Sequence, residues 1–119
     1  YGHARPLYEH VTERAVEWNT RGNIGLVVGA TAPDELKRIR EIAATLPILI
    51  PGIGTQGGDL EASIRNGVDA NGLSAIVNSS RSVIFASKGS DFADAARSAA
   101  EKLRSEINIE REKLGFQWL

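Results

Sequence analysis

Apolar and polar residues follow two different periods along the chain. Three short runs, near residues 24–30, 48–51 and 74–78, are mostly apolar and rich in β-branched side chains. Runs of this kind are typical of buried strands in a parallel sheet. Between them, apolar residues recur every three or four positions, which is typical of helices with one buried face. The pattern predicts a helix followed by three βα units.

Local signals place the first two helices. The first helix covers about Pro6 to Thr20, and Gly22 marks its end. Thr31 is in position to cap the second, with Pro33 in its first turn and Asp34 at capping-box spacing. The predicted apolar stripes are Leu7, Val11, Ala15 and Trp18 in the first helix and Leu36, Ile39, Ile42 and Ala43 in the second.

The last two thirds of the chain contain two further helices and one ambiguous segment. A helix is predicted from about Asp59 to Asn66, with Leu60 and Ile64 facing inward, before an Asn-Gly turn at 71–72. Residues 82–86 are compatible with either strand or helix. Ser90 or Asp91 caps a long helix that ends at about Leu114. Its apolar stripe is Phe92, Ala96, Ala99, Leu103 and Ile107, and its charged residues, Arg111 among them, are predicted to be solvated. Phe116 and Trp118 are expected to pack on a neighbouring element or on a partner chain.

The order of these elements predicts an α/β fold. Strand starts recur about every 25 residues, and continuous apolar strands indicate a parallel sheet covered by helices. A (β/α)₈ TIM barrel needs about 250 residues. We therefore predict that residues 1–119 are the C-terminal portion, about three βα units, of one barrel domain whose N-terminal half is missing. The absence of Met at position 1 also leads us to expect a piece of a longer polypeptide.

Composition narrows the classes of partner. The 119 residues are 42% hydrophobic and 24% charged, with a net charge of −1, which suggests neither nucleic acid nor a membrane as partner. Apolar runs fall short of the roughly 20 residues that span a bilayer. Cysteine is absent, which rules out disulfides and thiolate metal sites and is compatible with a cytoplasmic protein. His3 and His10 lack a third ligand nearby, so we expect surface histidines and no metal site.

Two segments that follow predicted strands carry the candidate chemistry. Residues 51–59 (Pro-Gly-Ile-Gly-Thr-Gln-Gly-Gly-Asp) form a Gly-rich connection to a helix. Glycine allows the backbone to approach a ligand closely, and its N–H groups can bind an anion, although a tight turn without a ligand explains the same pattern. Residues 78–81 (Asn-Ser-Ser-Arg) follow the next strand. Backbone donors and a guanidinium at adjacent strand ends predict a phosphate site.

These two segments resemble parts of a known enzyme family. Together with residues 27–31 (Val-Val-Gly-Ala-Thr), and in this order and spacing, they resemble the C-terminal half of orotidine 5′-monophosphate decarboxylase of the bacterial type 2 subfamily. The resemblance covers about residues 8–86. It implies a dimeric (β/α)₈ barrel that converts orotidylate to uridylate and CO₂ in de novo pyrimidine synthesis, without a metal or organic cofactor.

The resemblance also implies roles for individual residues. Gln56, in a mobile lid, would reach the substrate phosphate, and Arg81 with backbone groups near Ser80 would hold it. Thr55 stands where the family often has Ala. The residues implied for the phosphate are Gln56, Arg81, Ser80, Gly54 and Gly57, and those implied for the pyrimidine pocket are Pro51 and Ile53.

The chain departs from the family at its catalytic motif. An Asp-x-Lys-x-x-Asp sequence is absent, and the lysines at 37, 88, 102 and 113 lie on predicted helices or a loop. We expect no catalytic residue in this chain, no activity from it alone, and the N-terminal half of the barrel as its partner. Two alternatives are a non-catalytic, phosphate-binding or self-assembling half-barrel, and another phosphate-binding barrel enzyme, such as those of histidine or tryptophan synthesis.

Overall fold

The computed structural model describes residues 4–54 and 59–119, along which three strands and five helices follow one another. The strands form one parallel sheet in the order β1-β2-β3, with Leu26 opposite Ile48 and Ile48 opposite Ala75. The predicted helix and three βα units are therefore present. The elements are α1 (Leu7–Trp18), β1 (Leu26–Val27), α2 (Pro33–Ile42), β2 (Ile48–Ile50), α3 (Leu60–Gly67), β3 (Ala75–Val77), α4 (Arg81–Ile84) and α5 (Phe92–Lys113).

Strand β1 is shorter than the predicted run at 24–30, yet the chain stays paired beyond it. The N–H groups of Leu26, Val28 and Ala30 donate to carbonyl oxygens alongside β2, at 2.8–2.9 Å. Alternate N–H groups of a strand point to opposite sides, so those between them face away from β2. Strand β1 thus forms an open edge of this sheet.

The two faces of the sheet differ in burial. Val28, Ile48 and Ile50 pack with Leu36 and Ile39 of α2 in the core, where Ile48, Ile50 and Leu36 are fully buried. The opposite face carries Val27, Leu49 and Ile76 side by side in register. Val27 is 69% exposed and Ile76 53% exposed. Among the described residues, helices therefore cover one face of the sheet and leave the other bare.

Helix α1 turns its apolar stripe outward, against the usual orientation of such a stripe. Leu7, Val11 and Trp18 are 77%, 54% and 67% exposed, and only Ala15 of the predicted stripe is buried. The helix packs on α2 through Glu9, whose carboxylate accepts hydrogen bonds from Arg5 and from Arg38 of α2. The same face of α1 buries Thr12 and Ala15, so the apolar face with Leu7, Val11 and Trp18 lies on the outside.

The predicted cap of α2 is wrong. The residue before the helix is Ala32, and no side chain caps the helix there. A turn closed by the bond from Ala32 N–H to Gly29 O, at 3.2 Å, holds Thr31 outside the helix start. Pro33 does lie in the first turn, as predicted. By contrast, Asp59 caps α3 and accepts a hydrogen bond from Ala62 N–H at 3.3 Å.

The ambiguous segment at 82–86 begins in a short helix, and the predicted long helix follows it. Residues 81–84 form α4, and α5 begins after Asp91, whose side chain accepts from Ser87 Oγ instead of capping the helix. In the predicted stripe of α5, Phe92 is 62% exposed and the other four residues are half-buried. Trp118 is also mostly exposed, with its indole N–H donating to Glu112 at 3.1 Å.

Arg111 of α5 is buried, so its predicted place on the solvated face is wrong. It is 4% exposed. Its guanidinium donates to the carbonyl oxygens of Gly72 and Gln117 at 2.8 and 2.5 Å and lies 5.9 Å from the ring centroid of Phe116. A side chain at Gly72 would collide with that ring, at 2.4 Å, and its φ of +73° also favours glycine. Arg111 thereby joins the end of α5 to the turn that precedes β3.

Arg40 of α2 is the second buried arginine. Burial lowers its pKa from the ordinary value, and the Asp69 carboxylate partly offsets that effect. Arginine remains protonated in proteins, so the buried cation must be satisfied by acceptors. Its guanidinium donates to backbone carbonyl oxygens at 2.8–3.5 Å, namely those of Gly67, Ala43, Ala44, Leu46 and Ser74. These carbonyls precede β2 or β3, so Arg40 holds the amino ends of both strands.

Candidate functional site

A polar cavity of about 250 Å³ lies at the carboxyl ends of β2 and β3. Its wall combines the first three residues after β2 with the connection from β3 to α4. In parallel sheets, such strand ends and their loops are the usual place for ligand-binding groups. The lining residues are Pro51, Gly52, Ile53, Asn78, Ser79, Ser80 and Arg81.

Backbone geometry brings the two walls together. Gly52 and Gly54 have φ angles of +92° and +78°, a region that favours glycine, and they turn the chain across the end of β2. On the other wall, Ser80 O accepts from the N–H groups of Val83 and Ile84 at 3.3 and 2.8 Å. These bonds close the turn of α4 and place Arg81 at its first position, beside the cavity.

The side chains in this cavity suit an anion. Arg81 is exposed, and its guanidinium makes no hydrogen bond to any residue within 4–54 or 59–119. Ser79 Oγ is hydrogen-bonded to Ser82 Oγ at the same end of β3. A guanidinium next to hydroxyl groups matches the oxygen geometry of a phosphate, and Pro51 and Ile53 add an apolar wall.

The structure brings together most of the residues singled out from the sequence. Pro51, Ile53, Ser80 and Arg81 line one cavity. Gly54 lies beside it and lines a second cavity. The predictions for Gln56 and Gly57 fall outside the described residues.

Asn78 and Ser79 also line the cavity, as expected for the predicted segment 78–81. The sequence pointed to the two serine hydroxyls and Arg81 as groups facing this opening, whereas the roles implied by the resemblance included Ser80 and Arg81 but neither Asn78 nor Ser79. Residue type alone gave no reason to separate ligand-binding from purely structural positions within such a connection. In the structure, all four residues border the same space as the first residues of the Gly-rich segment.

Other classes of site find no support in the part of the chain that the structure describes. The four lysines lie where the sequence predicted, in α2, in α5 and between α4 and α5, and none ends a strand. No group of three His, Cys, Asp or Glu side chains able to hold a metal occurs among residues 4–54 and 59–119. Within the same residues, no helix is both long and apolar enough to cross a membrane.

Comparison with known sequences gives a consistent result. The chain is 56% identical over 105 residues to "Orotidine 5'-phosphate decarboxylase" of Ralstonia nicotianae, covering 87% of this chain and 39% of that protein. It is 53% identical over 112 residues to the protein of the same name from Dehalococcoides mccartyi, covering 94% and 42%. The chain is homologous to part of orotidine 5′-phosphate decarboxylase. No family model matches it.

Comparison of structures agrees with that of sequences. The chain resembles the OMP decarboxylase of Leishmania donovani with a TM-score of 0.76 and 44% identity, covering 93% of this chain and 41% of that one. The three parallel strands and their helices therefore form part of an α/β barrel, and the resemblance drawn from residues 27–31, 51–59 and 78–81 is confirmed. The chain spans about two fifths of the length of the decarboxylases that it matches.

Proposed function

We propose that this chain is the C-terminal, phosphate-binding part of an orotidine 5′-phosphate decarboxylase, which converts orotidylate to uridylate and CO₂ in de novo pyrimidine synthesis. The observation that carries the proposal is the position of Arg81. It lies at the carboxyl end of the sheet, in one cavity with residues 51–53, in a chain 56% identical to a decarboxylase. That identity favours a decarboxylase over other phosphate-binding barrels.

In this proposal the chain grips and orients the substrate without performing the chemical step. Arg81 pairs with the phosphate dianion through two N–H groups, and the backbone at Ser80 contributes a further donor. Pro51 and Ile53 contact the pyrimidine, while Gln56, Gly54 and Gly57 complete the phosphate site. The Asp-x-Lys-x-x-Asp motif, absent from this sequence, would come from the complementary portion of the barrel.

The complementary portion is also the partner that the bare sheet face requires. Val27 and Ile76 expose apolar surface, and β1 has an unpaired edge among the described residues. Exposed strand edges readily pair with further strands, so the remaining strands would continue the sheet at β1 and enclose its bare face. The complete barrel would act as a homodimer in the cytoplasm, as the resemblance implies.

A chimera tests this function. The chain replaces the matching part of the Ralstonia nicotianae relative, with which it shares 56% identity over 105 residues. We expect the full-length chimera to decarboxylate orotidylate, measured by ultraviolet absorbance, and the 119-residue chain alone to be inactive. A folded chimera without turnover, or turnover by the chain alone, would contradict the proposal.

A further inference from the structure

A second cavity, of about 300 Å³, adjoins the one that contains Arg81. Ile53 and Ser79 line both cavities, so the two cavities share part of their walls. The second cavity is enclosed by Gly54 and Ser82 on one side and by α5 on the other. The residues that α5 contributes are Ala99, Lys102, Leu103 and Glu106.

The helix geometry explains why Lys102 lies on this wall. Residues three and four positions apart share a face of a helix, and positions 99, 102, 103 and 106 have this spacing. Helix α5 packs against α4, the helix that begins with Arg81, and Ser82 of α4 lines the same cavity as these positions. Lys102 and Arg81 therefore approach the same group of loops from two different helices.

The ammonium group of Lys102 is available for a ligand. Its nearest carboxylate in the described structure is that of Glu106, at 3.9 Å, and the Lys102 side chain is 79% exposed. Exposed pairs of this length contribute little free energy, so the ammonium can turn towards a ligand at small cost. Lys113 of the same helix, in contrast, pairs with Glu110 at 2.9 Å.

Charge balance indicates what this ammonium does. A phosphate monoester carries about −1.5 to −2 charges at neutral pH, whereas Arg81 supplies one positive charge. We propose that Lys102 is a second cation of the phosphate site, attracting the substrate dianion across the wall formed by Ile53 and Ser79. Lys102 also screens the dianion from the negative charge of Glu106 on the same wall. This inference rests on the proposed function.

The test is the affinity of the full-length chimera for uridine 5′-monophosphate, measured by calorimetry with uridine as the ligand without phosphate. We expect Lys102→Met to weaken nucleotide binding about three- to tenfold at low salt, and less at about 0.3 M salt, because ions screen exposed charges. Uridine binding should stay unchanged. Lys102→Arg, which keeps the charge, should retain nucleotide affinity.

Two neighbouring substitutions sharpen the test. Glu106→Gln removes a negative charge from the same wall and should tighten nucleotide binding, while Lys113→Met should leave it unchanged. Equal nucleotide affinity in Lys102→Met and Lys113→Met, or an equal loss of uridine affinity in Lys102→Met, would overturn the inference. Arg81→Ala distinguishes the two proposals, because normal nucleotide binding by that variant would overturn the phosphate site itself.

Discussion

The two ends of the three-stranded sheet use arginine in opposite ways. At the amino ends of the strands, Arg40 and Arg111 are buried and donate to backbone carbonyl groups. At the carboxyl ends, Arg81 is exposed beside a polar cavity and has no hydrogen-bond partner among the described residues. Arginine therefore satisfies the protein's own polar groups at one end of the sheet, while at the other end the donors of Arg81 meet no acceptor among the described residues.

This difference matches a general division within (β/α)₈ barrels. Groups at the carboxyl ends of the strands bind and transform ligands, whereas groups at the amino ends contribute to stability. Buried arginines that donate chiefly to backbone carbonyl groups make the division testable here. Substitution at the amino ends should lower the free energy of unfolding, and substitution of Arg81 should lower activity while stability is preserved.

The largest expected effect follows from Arg40→Met in the chimera. Methionine fills a similar volume, but it leaves the buried carbonyl oxygens of residues 43, 46 and 67 without a donor, whereas Ser74 O keeps the N–H group of Ile48. Each unsatisfied buried group costs about 1–3 kcal/mol, so the total loss in the free energy of unfolding should be about 3 kcal/mol or more. Urea denaturation measures it.

A matched control for Arg40 lies on the same helix. Arg38 is exposed and pairs with Glu9 and Glu41, both at 3.1 Å. The Arg38–Glu41 pair is exposed and contributes about 0–1 kcal/mol, and the buried Glu9 keeps its pair with Arg5, so Arg38→Met should shift the urea midpoint far less. Equal shifts of the urea midpoint in Arg40→Met and Arg38→Met would contradict the expectation that the buried arginine contributes more stability than the exposed one.

Arg81→Ala should have the next largest effect, on function. A guanidinium paired with a phosphate contributes about 1.5–3 kcal/mol, so nucleotide affinity of the chimera should fall about ten- to a hundredfold. The loss in kcat/KM should be larger still, because binding energy from the phosphate is also expressed in the transition state. Steady-state kinetics with orotidylate measures it, with urea denaturation as the check that the fold is unchanged.

The control for Arg81 is the substrate without its phosphate. Orotidine lacks the phosphate that we propose Arg81 contacts, so the substitution should leave its turnover nearly unaffected. Gln56→Ala should act in the same direction as Arg81→Ala but more weakly, since it removes a neutral amide. Equal losses on orotidylate and orotidine, together with a lower urea midpoint, would make Arg81 a structural residue.

This contrast also separates what could be predicted from the sequence from what could not. Arg81 was predictable, because strand order fixes which loops meet at one end of a parallel sheet. Arg40 and Arg111 were not, since periodicity assigns a charged residue in a helix to the solvent by default. Only tertiary packing shows that their guanidinium groups reach carbonyls 27 and 39 residues away along the chain.

The outward apolar stripe of α1 has a similar explanation. Helical spacing predicts that Leu7, Val11 and Trp18 share a face, but it does not say what that face contacts. The side that meets α2 carries Glu9, which pairs with Arg5 and Arg38, and the buried Thr12 and Ala15. Spacing therefore predicted the helix and its stripe correctly, while burial depended on a long-range partner 29 residues further along the chain.

Arg111→Met should destabilise the chimera less than Arg40→Met does. Fewer buried carbonyls lose a donor, chiefly that of Gly72, because Gln117 is exposed, so we expect a loss of about 2 kcal/mol. The lost donors would loosen the turn before β3 without removing any group from the ligand cavity. Urea denaturation should show this shift, and Arg97→Met, whose guanidinium pairs with Glu101 on the exposed part of α5, should not.

The smallest expected effect concerns pH and Asp69, at the amino end of β3. Burial alone would raise the pKa of Asp69, but hydrogen bonds from Ser74 and from backbone N–H groups, together with Arg40, lower it overall. Because its pKa is lowered in the folded state, ionised Asp69 stabilises the fold at pH values above its ordinary pKa of about 3.9, and this stability is lost as the pH falls through the folded-state pKa.

Asp69→Asn should therefore cost about 1 kcal/mol near neutral pH. The difference in Tm between variant and parent should shrink as the pH falls below about 4. Thermal denaturation of both proteins across this range measures the difference, and a constant gap in Tm would show that the charge of Asp69 does not stabilise this end of the sheet.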